Sequence, residues 1–430
     1  MNAPALVKGW CPGLLRPMPT GDGLLARVRP RGGRLSAEAL GVLATAALDL
    51  GNGHADLTSL GNIQLRGLGA AGVAELTRRL MPLGLVDADP ASEARRNIVV
   101  SPLAGIDPTA LIDITPLAVA LAARLAAADD LALPPKFTFL IDDGGALPLG
   151  GVATDLRFEA VRVDGEIRFA VKANGDSRGS APLGHCAPNA LGDTAIDIAR
   201  GLAAGSPDDN GVLHFNRRCG RDEAIQGHRA PQDRFASLAM TRSASSARDC
   251  LVDLTLHAPP LLGAVAPQGR MSADMLAVLA EAAREAGAGI RLTPWRAVLA
   301  PLRVAGAAAT WRARLMHAGF ILDRDDPRLR VAACVGAPAC SSATTPVRAD
   351  ADSFAEVLRG LPGDGIVLHV SGCAKGCAHR GPARVTLVGR DGAYDLVRDA
   401  SVSGMPGETC LTTAQARRRL AQIFTETDTR

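Results

Sequence analysis

The spacing of apolar residues predicts a strand, a helix, a short strand and a second helix near the start of the chain. Leu40, Leu43 and Ala47 recur at helical spacing behind Ser36. The Ser36 hydroxyl can cap that helix, and Glu38 in its first turn favours the positive end. The other three elements are predicted at residues 24–28, 56–58 and 71–83. This succession is a βαβ-type half unit, and two such halves can share one sheet.

The same succession returns in the second half of the chain. Ser272 and Asp274 take the places of Ser36 and Glu38. The matching segments are 33–40 with 269–276, 57–58 with 292–293, and 79–84 with 314–319. Because the spacing is kept over about 50 positions, we interpret this as a duplicated module with a pseudo-twofold axis. Two unrelated amphipathic helices are the alternative interpretation.

Two less regular regions lie between and after the two copies. Apolar and polar residues alternate over residues 157–171 around Asp164-Gly165, which predicts a β-hairpin. Residues 205–232 are polar and rich in Arg, Asp and Gly, and we expect a loop or linker there. Two strands are predicted near the end, at 366–370 and 384–388.

The size and composition of the chain are those of a soluble globular protein. Its 430 residues allow about three domains of roughly 150 residues each. A net charge of +3 does not favour nucleic acid as a partner. There is no apolar run of about 18 residues and no convincing secretory signal, so we expect neither a membrane span nor export. We therefore expect a cytoplasmic protein, in which the nine cysteines are thiols or metal ligands.

Four of the cysteines form two close pairs in glycine-rich segments. Cys334 and Cys340 are separated by five residues, and Cys373 and Cys377 by three. Four thiolates in loops that expose backbone N–H groups suit an iron–sulfur cluster. Zinc sites more often use pairs two to four residues apart, so zinc is the weaker alternative, and unrelated cysteines the third. The remaining cysteines stand alone and are expected to be buried as small apolar residues.

The cysteine spacing behind a duplicated Gly-Arg module resembles the nitrite and sulfite reductase superfamily. The amino-acid sequences of several segments are similar to those of one branch of this superfamily, the precorrin-3B synthase family. These segments are 11–18 (CPGLLRPM), 21–25 (GDGLL), 292–296 (LTPWR) and 370–379 (VSGCAKGCAH). The resemblance extends over roughly residues 9–425.

The resemblance implies an α+β fold like that of sulfite reductase hemoprotein. Duplicated ferredoxin-like half-domains would form a pseudo-twofold central domain, with two flanking α+β domains. The expected boundaries are 10–90 for the first half, 91–235 for the first flanking domain, 255–325 for the second half, and 326–430 for the flanking domain with the cysteines.

The resemblance also implies the residues of a site. Cys334, Cys340, Cys373 and Cys377 would bind a 4Fe-4S cluster. The residues expected to bind a tetrapyrrole are Arg27, Arg29, Asn62, Arg66, Arg96, Lys136 and Arg296. Thr138 stands where the reductases have a second lysine, which weakens the interpretation as a reductase. No catalytic residue is identified; His379 is the candidate, and His369 lies on the other side of the second cysteine pair.

The activity implied is that of an oxidoreductase, a monooxygenase acting on precorrin-3A. It would hydroxylate C20 with O2 and close a γ-lactone, with the cluster carrying electrons from a reductant such as NADH. A mononuclear non-haem iron can assist this chemistry, but its ligands are not evident in the sequence. One alternative is a sulfite or nitrite reductase with bound siroheme. The other is a non-enzymatic electron carrier or tetrapyrrole-binding protein with a cluster.

Overall fold

The computed structural model describes residues 10–134, 136–203, 246–251, 254, 257, 259–361, 365–379 and 381–425. Within these ranges the strands are β1 Met18–Thr20, β2 Gly23–Val28, β3 Arg34–Leu35, β4 His54–Leu57, β5 Ile63–Leu68, β6 Ile98–Val100, β7 Phe139–Asp142, β8 Thr154–Val163, β9 Glu166–Gly175, β10 Ala181–Cys186, β11 Leu261–Val265, β12 Arg270–Ser272, β13 Ile290–Leu292, β14 Ala297–Pro301, β15 Val331–Ala333, β16 Leu368–Ser371, β17 Ala383–Arg390, β18 Ala393–Ala400 and β19 Glu408–Leu411. The helices are α1 Ala37–Asp49, α2 Ala70–Leu80, α3 Pro90–Arg95, α4 Thr115–Ala127, α5 Leu191–Ala203, α6 Ala273–Ala286, α7 Ala308–Ala318, α8 Val347–Ala355 and α9 Thr413–Thr425.

The duplicated module predicted from the sequence forms the centre of the molecule. Sheet 1 has the strand order β1-β2-β5-β4-β12, and sheet 2 has the order β11-β14-β13-β3. Helices α1, α2, α6 and α7 share one apolar core with both sheets. Both predicted caps are present, since Ser36 accepts a hydrogen bond from Ala39 N and Ser272 accepts one from Met275 N. The fold is therefore α+β with a pseudo-twofold centre.

Each copy of the module contributes one short strand to the sheet of the other copy. Strand β12 of the second copy pairs with β4, and β3 of the first copy pairs with β13. The exchange joins the copies through backbone hydrogen bonds as well as through the packing of α1 on α6. The second helix, α2, is shorter than predicted. It ends at Leu80 before a single 3-10 turn, because Pro82 has no N–H with which to continue the helix.

The two flanking sheets have the same topology as each other. In sheet 3 (β10-β9-β8-β7-β6), β6, β7 and β8 are parallel and the remaining strands antiparallel. In sheet 4 (β15-β16-β17-β18-β19), β15, β16 and β17 are parallel and the rest antiparallel. A helix follows the first strand in both, α4 in one case and α8 in the other. The duplication therefore extends beyond the module recognised in the sequence.

The predicted local elements of the flanking regions are confirmed. The hairpin is β8–β9, with Asp164 and Gly165 in the left-handed turn that joins them. Strands β16 and β17 correspond to those predicted beside the second cysteine pair. The expected loop at 205–232 lies outside the described residues. The domain boundaries stay a prediction, and the exchanged strands β3 and β12 cross the divide between the sheets. No helix in the described ranges is long and apolar enough to span a bilayer.

Candidate functional site

The two cysteine loops leave the same edge of sheet 4. Cys334 directly follows β15, and Cys373 comes two residues after β16. These strands are parallel neighbours, with Ala333 opposite Val370, so their carboxyl ends lie side by side. Gly372 N donates a hydrogen bond to Cys334 Sγ at 3.1 Å. Loops that are far apart in the sequence thus meet at one point.

Small residues and one polar contact hold the loops together. A Cβ atom on Gly372 would lie 2.7 Å from Ala343 Cβ, so the loops approach too closely there for any side chain. Gly336 has a φ of +71°, which favours glycine. Lys375 Nζ donates to Ser342 Oγ at 3.1 Å and bridges the loops a second time. The close approach is therefore built into the sequence of both segments.

The thiols of the two loops lie within electrostatic reach of one another. Burial raises the pKa of Cys334, and Cys340 and Cys373 lie near enough to add to the effect. Cys377 is the most exposed of the four, and partial desolvation raises its pKa, with contributions from Cys373 and Cys340. Within the described ranges, no three side chains of His, Cys, Asp or Glu are grouped closely enough for a single ion. A cubane cluster does not need its ligands that close together, because each of its four thiolates binds a separate iron atom.

Sheet 3 contains a counterpart of this junction that uses oxygen in place of sulfur. Ser101 follows β6 as Cys334 follows β15, and its N–H bonds the equivalent carbonyl, Ile141 O, at 3.2 Å. Asp143 N donates to Ser101 Oγ at 2.9 Å, as Gly372 N does to Cys334 Sγ. Asp107, six residues after Ser101, matches Cys340. The carboxylates of Asp107 and Asp143 accept backbone N–H groups of their own loops. This copy keeps the loop geometry but has no thiolate for iron.

A row of polar side chains crosses the sheet 1 face that points away from the apolar core. The strand register places Arg27 opposite Gln64, Gln64 opposite Asp56, and Asp56 opposite Arg270. Arg27 Nη1 donates to Cys11 Sγ at 2.7 Å, and its guanidinium also donates to the Gln64 amide oxygen. Sequence reasoning identified only Arg27 of this row. The others could have been found from the sequence, because each of these mostly apolar strands has a polar residue on the same face of the predicted sheet.

The first cysteine loop docks on this sheet. Arg66, two residues from Gln64 on β5, donates to the carbonyl oxygen of Ala339, the residue before Cys340. The same Arg66 pairs with Asp22 at 3.2 Å. Gly21 N donates to Ala339 O at 3.1 Å. Arg66 therefore positions the cysteine loop against the polar face, whether or not it also binds a ligand.

A buried ion cluster makes the second connection between sheet 1 and the cysteine domain. Asp56 Oδ1 accepts from Arg348 Nη1 of α8 at 2.8 Å and from Arg270 Nε at 3.2 Å. The Asp56 and Arg348 side chains are 6% and 14% exposed. Burial alone would raise the pKa of Asp56, but Arg348 and then Arg270 outweigh it, and the pKa is lowered. The carboxylate is therefore charged and joins the domains.

Two of the arginines expected to bind a ligand are engaged inside the protein. Arg29 donates to the carbonyl oxygens of Glu93 and Pro12. Arg96 forms a two-pronged pair with Asp87, with Nη2 at 2.7 Å from Oδ2, and donates to Arg29 O. These partners position the segments that follow α3 and β2. Their role as tetrapyrrole ligands stays a prediction.

The other expected ligand residues have more freedom. Asn62 is buried, and its Nδ2 has no hydrogen-bond partner within the described residues. Lys136 is exposed and lies within electrostatic reach of Cys377. Thr138, at the position of the missing lysine, is buried and accepts a hydrogen bond from Asn97 Nδ2 at 2.7 Å. Of these two positions, only Lys136 presents a cation towards the cysteines.

Two histidines and Arg296 lie near one another beside the second cysteine pair. His369 lies on β16 and is fully buried, with no hydrogen-bond partner for either ring nitrogen among the described residues. Its ring meets that of His379 edge to face, with centroids 5.8 Å apart. Burial, then His379, then Arg296 lower the pKa of His369 to about 4. The imidazole is therefore neutral at physiological pH.

The isolated cysteines differ in their surroundings. Cys186 and Cys250 are buried, as predicted. The prediction is wrong for Cys410, which is exposed, and for Cys11, which is half-buried and hydrogen-bonded to Arg27. Cys219 lies outside the described residues. A separate cavity of about 210 Å³ near the start of α1 is lined by Arg31, Arg34 and Leu83, among others, and is not part of this site.

Comparisons with known proteins agree with the duplicated architecture. The family described as nitrite/sulfite reductase ferredoxin-like half domain matches residues 16–83 and 261–314, one segment in each copy. A precorrin-3B synthase from Sinorhizobium is 34% identical over 93% of this chain and 84% of its own length. A ferredoxin–nitrite reductase from Synechococcus elongatus is 26% identical over 87% of this chain and 77% of its own length. The structure of Mycobacterium tuberculosis NirA superposes with a TM-score of 0.68 at 17% identity, covering 93% of this chain and 80% of NirA.

Proposed function

We propose, for a chain that belongs to the precorrin-3B synthase family of the nitrite and sulfite reductase superfamily, that it hydroxylates precorrin-3A at C20 in cobalamin biosynthesis. The reaction uses O2 and ends with closure of a γ-lactone by the ring A acetate. One oxygen atom enters the substrate and the other leaves as water, which requires two electrons and two protons. A reductant such as NADH supplies the electrons.

The observation that carries this proposal is the meeting of the two cysteine loops beside a face rich in arginine. The Gly372–Cys334 hydrogen bond joins the loops, and Arg66 fixes the first loop against sheet 1. A 4Fe-4S cluster bound by Cys334, Cys340, Cys373 and Cys377 would supply electrons singly at this point. The macrocycle would lie between the cluster and sheet 1, where charge-assisted hydrogen bonds favour its carboxylates.

The residues of the chain divide into holding and positioning roles. Asn62, Lys136 and Arg296 have donor groups without a hydrogen-bond partner among the described residues, and they bind and orient substrate carboxylates. Arg27 and Arg66 keep the polar face in place through partners in the protein and present their remaining N–H groups to the macrocycle. The buried Arg29 and Arg96 hold the walls of the site. His379 remains the candidate to move a proton. A mononuclear non-haem iron stays part of the proposal without assigned ligands.

The replacement of a lysine by Thr138 favours a tetrapyrrole substrate over a reductase with bound siroheme. A reductase that binds sulfite or nitrite needs dense positive charge around its anion. Here the hydroxyl of Thr138 is turned into the protein by Asn97 and Lys136 O. We also propose a cytoplasmic location, whose reducing conditions keep cysteines as thiols or metal ligands.

Oxygen-isotope labelling tests the proposed reaction. Purified protein is incubated with precorrin-3A, a reductant and oxygen-18 gas, and the product is examined by mass spectrometry. We expect one heavy oxygen in a lactone product, and none when only the water is labelled. A siroheme reductase would instead carry a strong visible tetrapyrrole band and consume sulfite or nitrite. A carrier would give no turnover with any of these substrates.

A further inference from the structure

Arg296 occupies a backbone position that the other copy of the module fills with glycine. It lies in the turn between β13 and β14 with a φ of +60°, and the equivalent Gly61 has a φ of +67°. The turns are otherwise alike. Thr293 N bonds Ala297 O at 3.0 Å, and Thr58 N bonds Asn62 O at 2.9 Å. A left-handed arginine is strained, and such strain persists mainly where the side chain has a function. The fold itself therefore requires the turn but not the guanidinium.

The path of the Arg296 side chain is fixed by the protein. A Cβ atom on Gly269 would lie 2.7 Å from Arg296 Cδ and 2.9 Å from Leu57 O. Gly269 is itself left-handed, with a φ of +77°. The aliphatic part of the Arg296 side chain therefore passes directly over Gly269, where no residue larger than glycine would fit. The guanidinium at its end lies within electrostatic reach of Arg348, Asp56 and Cys334.

The Arg296 guanidinium has no counter-ion of its own in the part of the chain that the structure describes. None of the described residues forms a hydrogen bond or ion pair with this side chain. The nearby carboxylate, Asp56, is already shared between Arg348 and Arg270. Burial and the neighbouring Arg348 lower the pKa of Arg296, while Asp56 and Cys334 favour its charged form. Arginine nevertheless stays protonated in proteins. A half-buried positive charge therefore lies within electrostatic reach of Cys334 and has no ion-pair partner among the described residues.

We infer that Arg296 couples substrate binding to the reduction potential of the cluster, by pairing with a substrate carboxylate when the site is filled. The inference rests on the proposed function and adds a regulatory role for one residue. Reduction adds a negative charge beside Cys334, and the free guanidinium stabilises it. A bound carboxylate cancels that positive charge, so the potential falls and the cluster becomes a stronger reductant only with substrate in place. By thermodynamic reciprocity, the reduced protein binds substrate more weakly by the same factor.

The test is an anaerobic redox titration with and without precorrin-3A, followed by electron paramagnetic resonance of the reduced cluster. Without O2 no turnover occurs. For wild type we expect the midpoint to fall on binding and the Kd to rise on reduction, within the range of roughly 5- to 150-fold usual for coupled sites. A tenfold change in Kd corresponds to about 59 mV for a one-electron couple.

Two substitutions of Arg296 separate its charge from its structural effect. Arg296→Gly restores the turn of the other copy and should keep the cluster and the fold, but start at a lower potential and show no further fall. Arg296→Lys should retain most of the fall. The exposed Arg303→Gln is the matched control and should behave as wild type. An equal fall in wild type and in Arg296→Gly, with substrate bound to both, overturns the inference alone. Failure of wild type to bind precorrin-3A overturns the proposed function and the inference with it.

Discussion

Removal of the Asp56 carboxylate should weaken the attachment of the cysteine domain to the central domain and so lower the free energy of unfolding. Asp56 is the shared acceptor of Arg348 from α8 and Arg270 from β12. In Asp56→Asn, two cations remain near each other in a mostly buried place without a negative partner. Breaking a buried ion pair on one side typically costs 3–5 kcal/mol, and we expect about 3 kcal/mol because the amide oxygen still accepts one hydrogen bond. Urea unfolding at pH 7, followed by tryptophan fluorescence, measures this loss.

The pH dependence of the loss gives an independent check on its cause. The pKa of Asp56 is lowered in the folded protein, below the unfolded value of about 3.9. Its stabilising contribution is therefore complete above that unfolded value and is lost as the pH falls through the folded pKa. The difference in free energy of unfolding between wild type and Asp56→Asn should accordingly shrink in acid.

Two further variants complete the experiment. Asp130→Asn removes an exposed carboxylate paired with Arg200 and should leave the midpoint of unfolding near that of wild type, since exposed pairs contribute little. Adding Arg348→Met to Asp56→Asn should recover part of the loss, because one uncompensated charge is then gone. If Asp56→Asn unfolds like wild type at pH 7, or if its loss is the same at every pH, the reasoning about this ion cluster is refuted.

Three other predictions concern the site and its supports. Gly372→Ala should lose most of its iron, since the new Cβ would lie 2.7 Å from Ala343 Cβ; Gly41→Ala, in an open position of α1, should keep its iron and gain up to about 1 kcal/mol in stability. In wild type the pKa of His369 is about 4 when folded, below its unfolded value, so between about pH 6.5 and pH 4 only the unfolded chain binds the proton and stability falls. His369→Phe should make this fall with pH less steep, and an unchanged slope would contradict the prediction. Arg66→Met should weaken the docking of the first cysteine loop, seen as faster proteolysis near Cys340, while Arg162→Met on the exposed side of β8 should not alter the digestion rate.

The sequence predicted features that depend on local pattern. The caps at Ser36 and Ser272, the hairpin at Asp164-Gly165 and the two strands on either side of the second cysteine pair follow from short-range rules of spacing and turn chemistry. The duplicated module was evident because the same short sequence segments occur in both copies at the same spacing. The shared topology of sheets 3 and 4 was not, because Ser101 and Asp107 have replaced the cysteines of that copy and little common wording remains.

Features that depend on contacts between distant segments were beyond sequence reasoning. Strands β3 and β12 have two and three residues, too few to show a period of two, so their exchange between the copies had no signal. Arg29 and Arg96 were identified as cations, but their engagement with Glu93 O, Pro12 O and Asp87 depends on tertiary packing. The left-handed turn at Arg296 could have been inferred from its alignment with Gly61, had the two copies been compared position by position.

The central claim is that Cys334, Cys340, Cys373 and Cys377 together hold one 4Fe-4S cluster. Iron and acid-labile sulfide should be counted in anaerobically purified protein and in its Cys373→Ser and Cys410→Ser variants. We expect about four of each per chain in wild type and in Cys410→Ser, with broad absorption and no tetrapyrrole band, and almost none in Cys373→Ser. Full iron and sulfide in Cys373→Ser would contradict the claim.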